Sequence, residues 1–154
     1  MEKTNVMRLL EQKKIPYTAH TYEPDATKTG EEIAELLHED AERVFKTLVA
    51  QGKSGAYYVF VIPVNAELDV KKAASASKEK SISMIRQKEL LPLTGYVHGG
   101  CSPIGMKKQF PTFLHQTAIG FDTIYFSAGK VGYQVEVSPD EVSRIIRYES
   151  ADLI

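Results

Sequence analysis

The sequence predicts an α+β domain built around a mixed β-sheet. Segments with helical spacing of apolar residues alternate with short runs of strand-forming residues, and two pairs of strands flank glycine-containing turns, as in hairpins. With 154 residues, of which 43% are hydrophobic, the chain can bury one ordinary core. We therefore expect a single domain over residues 1–154, and the periodicity leaves open whether its sheet closes into a barrel.

The first third of the chain is predicted to hold two short helices and a strand. Apolar residues at helical spacing predict a helix over 5–13, and a strand follows over 17–22. Thr29 and Glu32 have the spacing of a capping box, in which a hydroxyl and a carboxylate satisfy free N–H groups of a first helical turn. The helix that begins there should run to about residue 38 and bury three apolar side chains, Ile33, Leu36 and Leu37.

The middle of the chain predicts a hairpin and three short elements. Residues 44–49 (VFKTLV) are rich in strand formers, a turn follows at 52–55 (GKSG), and the strand over 56–64 is apolar enough to be central in the sheet. The elements after it are a helix over 69–76 with Asp69 near its start, a strand over 81–85, and a segment over 89–91 that ends at Pro92.

The last third of the chain predicts a second hairpin and a final helix. Residues 123–127 and 133–137 are strand formers on either side of a glycine-containing turn. Ser138, Pro139 and Glu141 supply an N-cap, a proline at the first helical position and an acid at the third. The helix that begins there should turn three apolar side chains inward, Val142, Ile145 and Ile146.

Composition excludes several classes of protein. A net charge of −1 argues against a protein held to nucleic acid by bulk charge alone, and the single cysteine, Cys101, rules out an internal disulfide. The first residues lack the apolar segment of a signal peptide, and the longest apolar run, 57–64, is far shorter than the ~20 residues that span a bilayer. The histidines show no metal-ligand spacing. We expect a soluble cytoplasmic protein without a membrane segment, metal or cofactor.

Lys46 is a charged residue inside an apolar strand. In an extended strand Val44, Lys46 and Leu48 share one face, and this strand should be at least half buried. One interpretation is an edge-strand lysine whose stem covers apolar surface while its amine stays in water. The other is a cation in a cleft, where a low dielectric constant strengthens its attraction for a carbonyl or phosphate oxygen. The residues alone leave both interpretations open.

Four of the ten glycines lie in one segment, residues 94–111. The segment matches neither a phosphate-binding loop nor a dinucleotide-binding fingerprint. Its adjacent pair, Gly99 and Gly100, either makes a tight connection between strands or presents backbone N–H groups to an oxyanion or a ribose. His98 and Cys101 nearby are weak candidates for a Cys–His nucleophile, because such pairs are recognised by geometry and not by closeness in sequence.

Charge is unevenly distributed along the chain. Residues 31–42 carry only acidic charges, whereas residues 90–121 contain Lys107 and Lys108 and no acid. Six basic residues precede the second stretch, namely Lys71, Lys72, Lys78, Lys80, Arg86 and Lys88. These charges either form two solvated faces, the usual outcome, or make the glycine-rich side electropositive enough to meet a phosphate backbone.

Several blocks in a fixed order resemble the YbaK/EbsC family. They are 13–17 (KKIPY), 20–22 (HTY), 44–48 (VFKTL), 60–65 (FVIPVN), 68–74 (LDVKKAA), 94–108 (TGYVHGGCSPIGMKK), 127–130 (SAGK) and 135–139 (VEVSP). The resemblance runs from about Thr4 to Ile146, nearly the whole chain, so it is far more specific than any one motif.

The resemblance implies a bacterial editing enzyme that is similar to the editing domain of some prolyl-tRNA synthetases. Members of the YbaK branch deacylate Cys-tRNA(Pro), and the implied catalysis is substrate-assisted, because the cysteinyl thiol attacks its own ester carbonyl and leaves as a cyclic thiolactone. The implied fold is a mixed, largely antiparallel β-barrel of about six or seven strands surrounded by helices. The implied partners are the aminoacylated CCA end of tRNA and prolyl-tRNA synthetase.

The resemblance also implies roles for individual residues. Lys46 falls on the family's catalytic lysine, and the positions that match its substrate-binding residues are Tyr22, Thr47, Gly99, Gly100 and Ser127. Lys107 and Lys108 are expected to contact tRNA. Some members have a phenylalanine where this chain has Thr29, which leaves the amino acid open. The alternatives are an Ala-tRNA(Pro) deacylase of the same superfamily, which would need attack by water, and a non-catalytic EbsC-type regulatory or tRNA-binding protein.

Overall fold

The computed structural model describes residues 2–25 and 27–154, and this part of the chain forms five α-helices and eight β-strands. The helices are α1 (Asn5–Gln12), α2 (Gly30–Leu36), α3 (Val70–Ser77), α4 (Gln87–Thr94) and α5 (Pro139–Val142). The strands are β1 (Tyr17–Thr21), β2 (Phe45–Gly52), β3 (Tyr57–Pro63), β4 (Ile82–Met84), β5 (Thr112–His115), β6 (Ile124–Ser127), β7 (Tyr133–Val137) and β8 (Tyr148–Ala151). Two 3-10 turns span Ala41–Arg43 and Gln116–Gly120.

The strands form two sheets. The five-stranded sheet has the order β4-β2-β3-β5-β8, in which β2 pairs antiparallel with β3 and β4, while β5 and β8 join in parallel. The three-stranded sheet is antiparallel, with β7 between β1 and β6. Both predicted hairpins are therefore present, and β3 is central in its sheet, as its continuous apolar sequence predicts.

The predicted β-barrel is wrong. Over the described residues, the two sheets are joined in the strand ladder by one parallel bridge, between Val44 and Tyr125. Val44 lies between a 3-10 turn and the first residue of β2. The segment that contains Val44 runs beside β6 for only this one residue pair. On the same side of β2, the three residues of β4 pair only with Ala50–Gly52. The architecture is α+β with two open sheets and eight strands, where six or seven were expected.

An apolar core fills the space between the two sheets. The five-stranded sheet contributes Val59 and Val61, the three-stranded sheet contributes Phe126 and Val135, and α1 contributes Leu10. A second cluster lies on the other face of the five-stranded sheet and contains Phe60, Ile62, Ala73, Phe113 and Leu153. Because successive residues of a strand point to opposite faces, β3 serves both clusters with alternate side chains.

The helices begin at capping residues that the sequence supplies. Thr4, Thr29 and Asp69 accept hydrogen bonds from free N–H groups in the first turns of α1, α2 and α3. Thr29 and Glu32 form the predicted capping box, because each side chain bonds to the backbone N–H of the other residue. The longest helices have eight residues, and none in the two described ranges has the length and apolar character needed to cross a bilayer.

Two details of the predicted helices differ in the structure. Leu36 is 48% exposed, because α2 packs through Ala34 where three larger side chains were expected to be buried. The helix α4 continues through Pro92 to Thr94. A proline in the second half of an eight-residue helix removes only one helical hydrogen bond, so it does not have to end the helix there.

Candidate active site

An open cleft lies where the start of β2 meets the three-stranded sheet. Its walls are the first residues of β2, the loop and first turn of α2, the glycine-rich segment, and the hairpin of β6 and β7. Its free volume is about 1200 Å³, counted up to the open solvent. The lining includes five of the six residues that were predicted to be catalytic or substrate-binding: Tyr22, Lys46, Thr47, Gly99 and Ser127.

Lys46 lies on the cleft wall that β2 forms. It is paired with Ile62 of β3, but β4 covers the opposite edge of β2 only from Ala50 onward, so that edge is open at Lys46. The side chain is half-buried, and none of the seven ion pairs among the described residues includes it. A lysine amine without a carboxylate partner can direct its charge to an oxygen of a bound molecule, and partial burial strengthens that attraction.

Thr47 adds an unused hydroxyl to the same wall. Its Oγ1 atom is buried and has no hydrogen-bond partner among the residues that the structure describes. Leaving a buried polar group without a partner costs about 1–3 kcal/mol. A bound molecule that hydrogen-bonds to Oγ1 would recover part of that cost.

Gly99 and Gly100 lack side chains for two different reasons. Gly99 lines the cleft and has a φ of 85°, a left-handed conformation that glycine adopts without strain. A Cβ atom on Gly100 would lie 3.0 Å from the backbone nitrogen of Val131 in the turn between β6 and β7. Gly100 therefore packs against that turn and holds the glycine-rich segment in place, whereas Gly99 faces the cleft.

Tyr22 and Ser127 place two hydroxyl groups near the β6–β7 hairpin. The backbone N–H of Tyr22 donates to the carbonyl of Gly132 over 3.0 Å, which fixes the end of β1 against that turn. Burial raises the pKa of Tyr22, so its hydroxyl stays protonated at neutral pH. The Oγ atom of Ser127 accepts a hydrogen bond from the N–H of Gly129 over 3.1 Å.

One cleft residue, Gln134, and its hydrogen-bond partner, Glu39, were not among the residues predicted from the sequence. Gln134 on β7 lines the cleft and is 4% exposed, and its Nε2 donates to Oε1 of Glu39 over 3.0 Å. Gln134 lies opposite Ser127 on β6 and opposite His20 on β1. A signal was present, because Gln134 alternates with the apolar Val135, which indicates a polar row on the face of this sheet away from the core.

Other candidate residues do not form a site of their own. Cys101 and His98 line the cleft, but burial raises the pKa of Cys101 to about 12, so the thiol stays protonated at neutral pH. His98 is exposed, at the cleft mouth. Lys107 and Lys108 are exposed and lie outside the cleft lining; Lys107 Nζ donates to the carbonyl of Pro92 over 3.4 Å.

The arrangement is suited to acting on an ester or a phosphate oxygen. It combines the cations of Lys46 and Lys28, a stretch of backbone that a ligand can approach closely, and hydroxyl groups that include those of Tyr22, Thr47 and Ser127. No group of three or more His, Cys, Asp or Glu side chains in the described part of the chain is arranged to hold a metal ion. The groups in the cleft can polarise a carbonyl by charge and hydrogen bonding.

Comparison with known sequences identifies a family and several relatives of this chain. The family model of the aminoacyl-tRNA editing domain matches residues 24–145. The chain is 44% identical over 153 residues to EbsC of Enterococcus faecalis, named as a candidate Cys-tRNA(Pro)/Cys-tRNA(Cys) deacylase, and the match covers 99% of this chain and 93% of EbsC. It is also 29% identical over 127 residues to the proline–tRNA ligase of Shouchella clausii, with 82% of this chain matched to 22% of the ligase.

Solved structures have the same fold. The crystal structure of a hypothetical protein superimposes with a TM-score of 0.88 at 22% identity, covering 97% of this chain and 99% of that one. A structure described as a candidate trans-editing enzyme for prolyl-tRNA synthetase superimposes with a TM-score of 0.80 at 23% identity, covering 99% of this chain and 98% of that one. At these identities the likeness concerns the fold.

Proposed function

The chain belongs to the aminoacyl-tRNA editing domain family, and on that premise we propose that it is a trans-editing deacylase that removes cysteine from mischarged Cys-tRNA(Pro). The reaction class, deacylation of an aminoacyl-tRNA, follows from the family and from the similarity to EbsC. The choice of cysteine and of tRNA(Pro), and the catalytic steps below, are the proposal.

One observation supports the proposal most strongly. Lys46 lines the cleft and has no carboxylate partner among the described residues, and the same cavity is lined by Thr47, which has an unused hydroxyl, and by Gly99. An aminoacyl ester has a carbonyl oxygen that becomes negative when the ester is attacked. A cation in a partly dry cleft stabilises that charge much better than water does, because its position is fixed in advance.

Among the described residues the cleft shows no activated protein nucleophile, which favours attack by the substrate itself. Burial holds Cys101 in its protonated form, and Ser127 Oγ accepts from the N–H of Gly129 and donates to no base in that part of the chain. A thiol on the substrate can attack the ester without a nucleophile from the protein. In the proposed step the cysteinyl sulfur forms a bond to the ester carbon, the bond from that carbon to the ribose oxygen breaks, and the thiol proton ends on the ribose hydroxyl. The amino acid leaves as a four-membered thiolactone.

The protein's part in this step is to hold the ester in the reactive conformation. Well-oriented intramolecular attack reaches effective molarities of about 10⁵ M or more, so positioning alone lowers the barrier substantially. Lys46 would bind the carbonyl or the terminal ribose, Gly99 would let the terminal nucleoside approach the backbone, and Tyr22 and Ser127 would contact the aminoacyl group.

The tRNA body is proposed to lie outside the cleft. The exposed residues Lys107 and Lys108 adjoin the glycine-rich wall and would contact phosphates of the acceptor end. A single domain with a net charge of −1 has few contacts to spare for the anticodon, so we propose that association with prolyl-tRNA synthetase supplies part of the selection for tRNA(Pro).

The proposal is tested by offering Cys-tRNA(Pro), Ala-tRNA(Pro) and Pro-tRNA(Pro) in parallel and following the loss of each ester. We expect loss of the cysteinyl ester alone, and recovery of its thiolactone or of the cysteine that the thiolactone hydrolyses to. Capping the substrate thiol by S-methylation is the matched control, because it removes the attacking group and keeps the ester.

Each of the other possible results of this assay contradicts a different part of the proposed function. Loss of the alanyl ester alone would indicate the Ala-tRNA(Pro) deacylase, with water as the nucleophile. Unchanged hydrolysis of the S-methylated substrate would rule out attack by the substrate sulfur. Stable esters in all three reactions would leave the non-catalytic, tRNA-binding alternative.

A further inference from the structure

The pair formed by Gln134 and Glu39 has polar atoms that the protein does not use. The two side chains come from positions 95 residues apart and are joined by the hydrogen bond from Gln134 Nε2 to Glu39 Oε1. The remaining oxygens, Oε1 of Gln134 and Oε2 of Glu39, are buried and have no hydrogen-bond partner within residues 2–25 and 27–154. Among the residues that the structure describes, the only other buried side-chain atom in this condition is Thr47 Oγ1, which also belongs to a cleft residue.

Glu39 decides which way the Gln134 amide is turned. An ionised carboxylate only accepts hydrogen bonds, so the amide must present its nitrogen to Glu39 and keep its oxygen for another donor. Burial raises the pKa of Glu39, while the hydrogen bond from Gln134 and the charge of His20 act in the opposite direction. The result is a fixed acceptor on a residue that lines the cleft and is 4% exposed.

The negative charge of Glu39 and the positive charge of Lys46 do not form an ion pair in the described part of the chain. Glu39 acts on Tyr22, whose pKa is raised by burial and further by the Glu39 charge, so the negative charge lies at the Tyr22 side of the cleft. Lys46 is on the β2 wall, and no ion pair joins it to Glu39 in the described part of the chain. An aminoacyl ester has the complementary pattern, since it carries a cationic ammonium group next to a carbonyl that becomes negative during attack.

We infer that Gln134 Oε1 accepts a hydrogen bond from the α-ammonium group of the aminoacyl ester, and that Glu39 is the positioning residue that orients the amide. This inference rests on the proposed deacylase function and adds a specificity determinant to it. An ester whose α-nitrogen is acylated has lost its positive charge and two of its N–H donors. The pair would therefore select free aminoacyl esters and reject N-acylated ones, such as peptidyl esters.

Binding measurements test this without depending on catalysis. The probes are cysteinyl-adenosine with an amide in place of the 3′ ester, which is not cleaved, and the same compound without its α-amino group. We expect the wild-type protein to bind the amino compound at least about tenfold more tightly, as is typical for a hydrogen bond to a charged group. Gln134→Leu should remove that preference by weakening only the amino compound.

Two further variants separate the specific role from a structural one. Glu39→Gln keeps the size of the side chain and removes the charge, and it should reduce the preference by about threefold or more. Glu35→Gln changes an exposed carboxylate of α2 and should leave both affinities unchanged. Thermal melting of each variant shows whether it is folded.

Several results would overturn the inference. Equal wild-type affinity for the two compounds, or variants that weaken both by the same factor, would show that the pair does not recognise the ammonium group. Absence of binding to either compound would also overturn it. Deacylation of Cys-tRNA(Pro), measured separately, then tells whether the proposed function fails as well or remains valid on its own.

Discussion

Two polar regions of this protein differ in whether their groups are paired. In the cleft, Lys46, Thr47 and Gln134 each keep a charge or a polar atom without a partner. On the far side of the five-stranded sheet, the segment after β8 is fully engaged. His115 Nδ1 accepts from the N–H of Leu153 over 3.1 Å, and the carbonyl of Leu153 accepts from the N–H of Asp69 over 2.8 Å.

The difference separates groups kept for a ligand from groups kept for stability. A buried polar atom without a partner lowers the free energy of unfolding, so a protein that retains several in one cleft gains something else from them. Paired groups such as those around Leu153 stabilise the fold and leave nothing for a ligand. Substitutions in the cleft should therefore change activity without lowering stability, and substitutions around Leu153 should do the reverse.

The largest effect is expected at Lys46. Lys46→Ala should lower kcat/KM for Cys-tRNA(Pro) by 10²–10³-fold, equivalent to about 3–4 kcal/mol of transition-state stabilisation, because a fixed electrostatic group is lost. The free energy of unfolding should change by less than about 0.5 kcal/mol, since no partner is left unpaired. Single-turnover deacylation and urea unfolding measure the two quantities.

The matched control for that change is Lys53→Ala, which alters an exposed lysine in the turn between β2 and β3. Its activity should equal that of the wild type. Wild-type deacylation by Lys46→Ala would mean that this lysine takes no part in the reaction, and a large loss of stability would mean that it belongs with the paired groups.

The opposite pattern is expected at Leu153, whose side chain is completely buried. Leu153→Ala should lower the free energy of unfolding by about 2–3 kcal/mol, because it removes apolar contacts and leaves a cavity in the second cluster. Per folded molecule, kcat/KM should remain that of the wild type at a temperature well below the melting transition. A selective loss of activity would show that the two regions are coupled and would break the contrast.

One variant of Thr47 tests both the activity and the stability that are expected for a cleft residue. Thr47→Val keeps the shape and deletes the unpaired hydroxyl, so it should raise the free energy of unfolding by up to about 1 kcal/mol. Activity should fall about tenfold, or about 1.4 kcal/mol, if the hydroxyl bonds to the substrate, as the family resemblance implies. Thr123→Val is the comparison, because the Thr123 hydroxyl is paired with Glu136. A variant that is more stable and equally active would remove Thr47 from the site.

The sequence predicted those parts of the fold that depend on local signals. The capping box at Thr29, the N-cap at Asp69 and the two hairpins follow from neighbouring residues, and they are present. The strands β5 and β8 were missed because each has only four residues and pairs in parallel with a strand distant in sequence. Barrel closure was wrong because it requires the edges of β2 and β6 to pair along their length, and in the described chain they are linked only by the bridge between Val44 and Tyr125.

The residues of the candidate site also fall into two groups: those that the sequence indicates and those that only the tertiary structure brings together. The charge within an apolar strand marked Lys46 as a candidate but left its role open, and the resemblance to a family favoured the catalytic role and added Tyr22 and Ser127. Gln134 was missed although it alternates with Val135 on β7, and Glu39 was missed because it stands in a run of acidic residues; only the folded chain brings the two together. Their burial and their unpaired oxygens are properties of the tertiary structure.

The smallest effect is expected from the titration of His115. Burial lowers the pKa of this histidine from its usual value of 6.5, although the nearby Asp152 acts in the opposite direction. The neutral ring is required, because protonated Nδ1 cannot accept the N–H of Leu153. The unfolded chain therefore binds a proton more readily, so the stability that His115 contributes is complete above about pH 6.5 and is lost as the pH falls towards the lower pKa of the folded state.

Between pH 8 and pH 6 this loss should stay below about 1 kcal/mol, because it cannot exceed the free energy of protonating the unfolded histidine over that range. The measurement is urea unfolding at pH 8 and pH 6 for the wild type and for His115→Asn, whose side chain can still accept a hydrogen bond but does not titrate. The variant should lose less stability between the two pH values. The proposed kinetic step does not involve His115, so deacylation per folded molecule should have the same pH profile in both proteins. An equal pH dependence of unfolding would show that His115 binds protons equally in the folded and the unfolded state, so that its burial and its hydrogen bond to Leu153 contribute no pH-dependent stability.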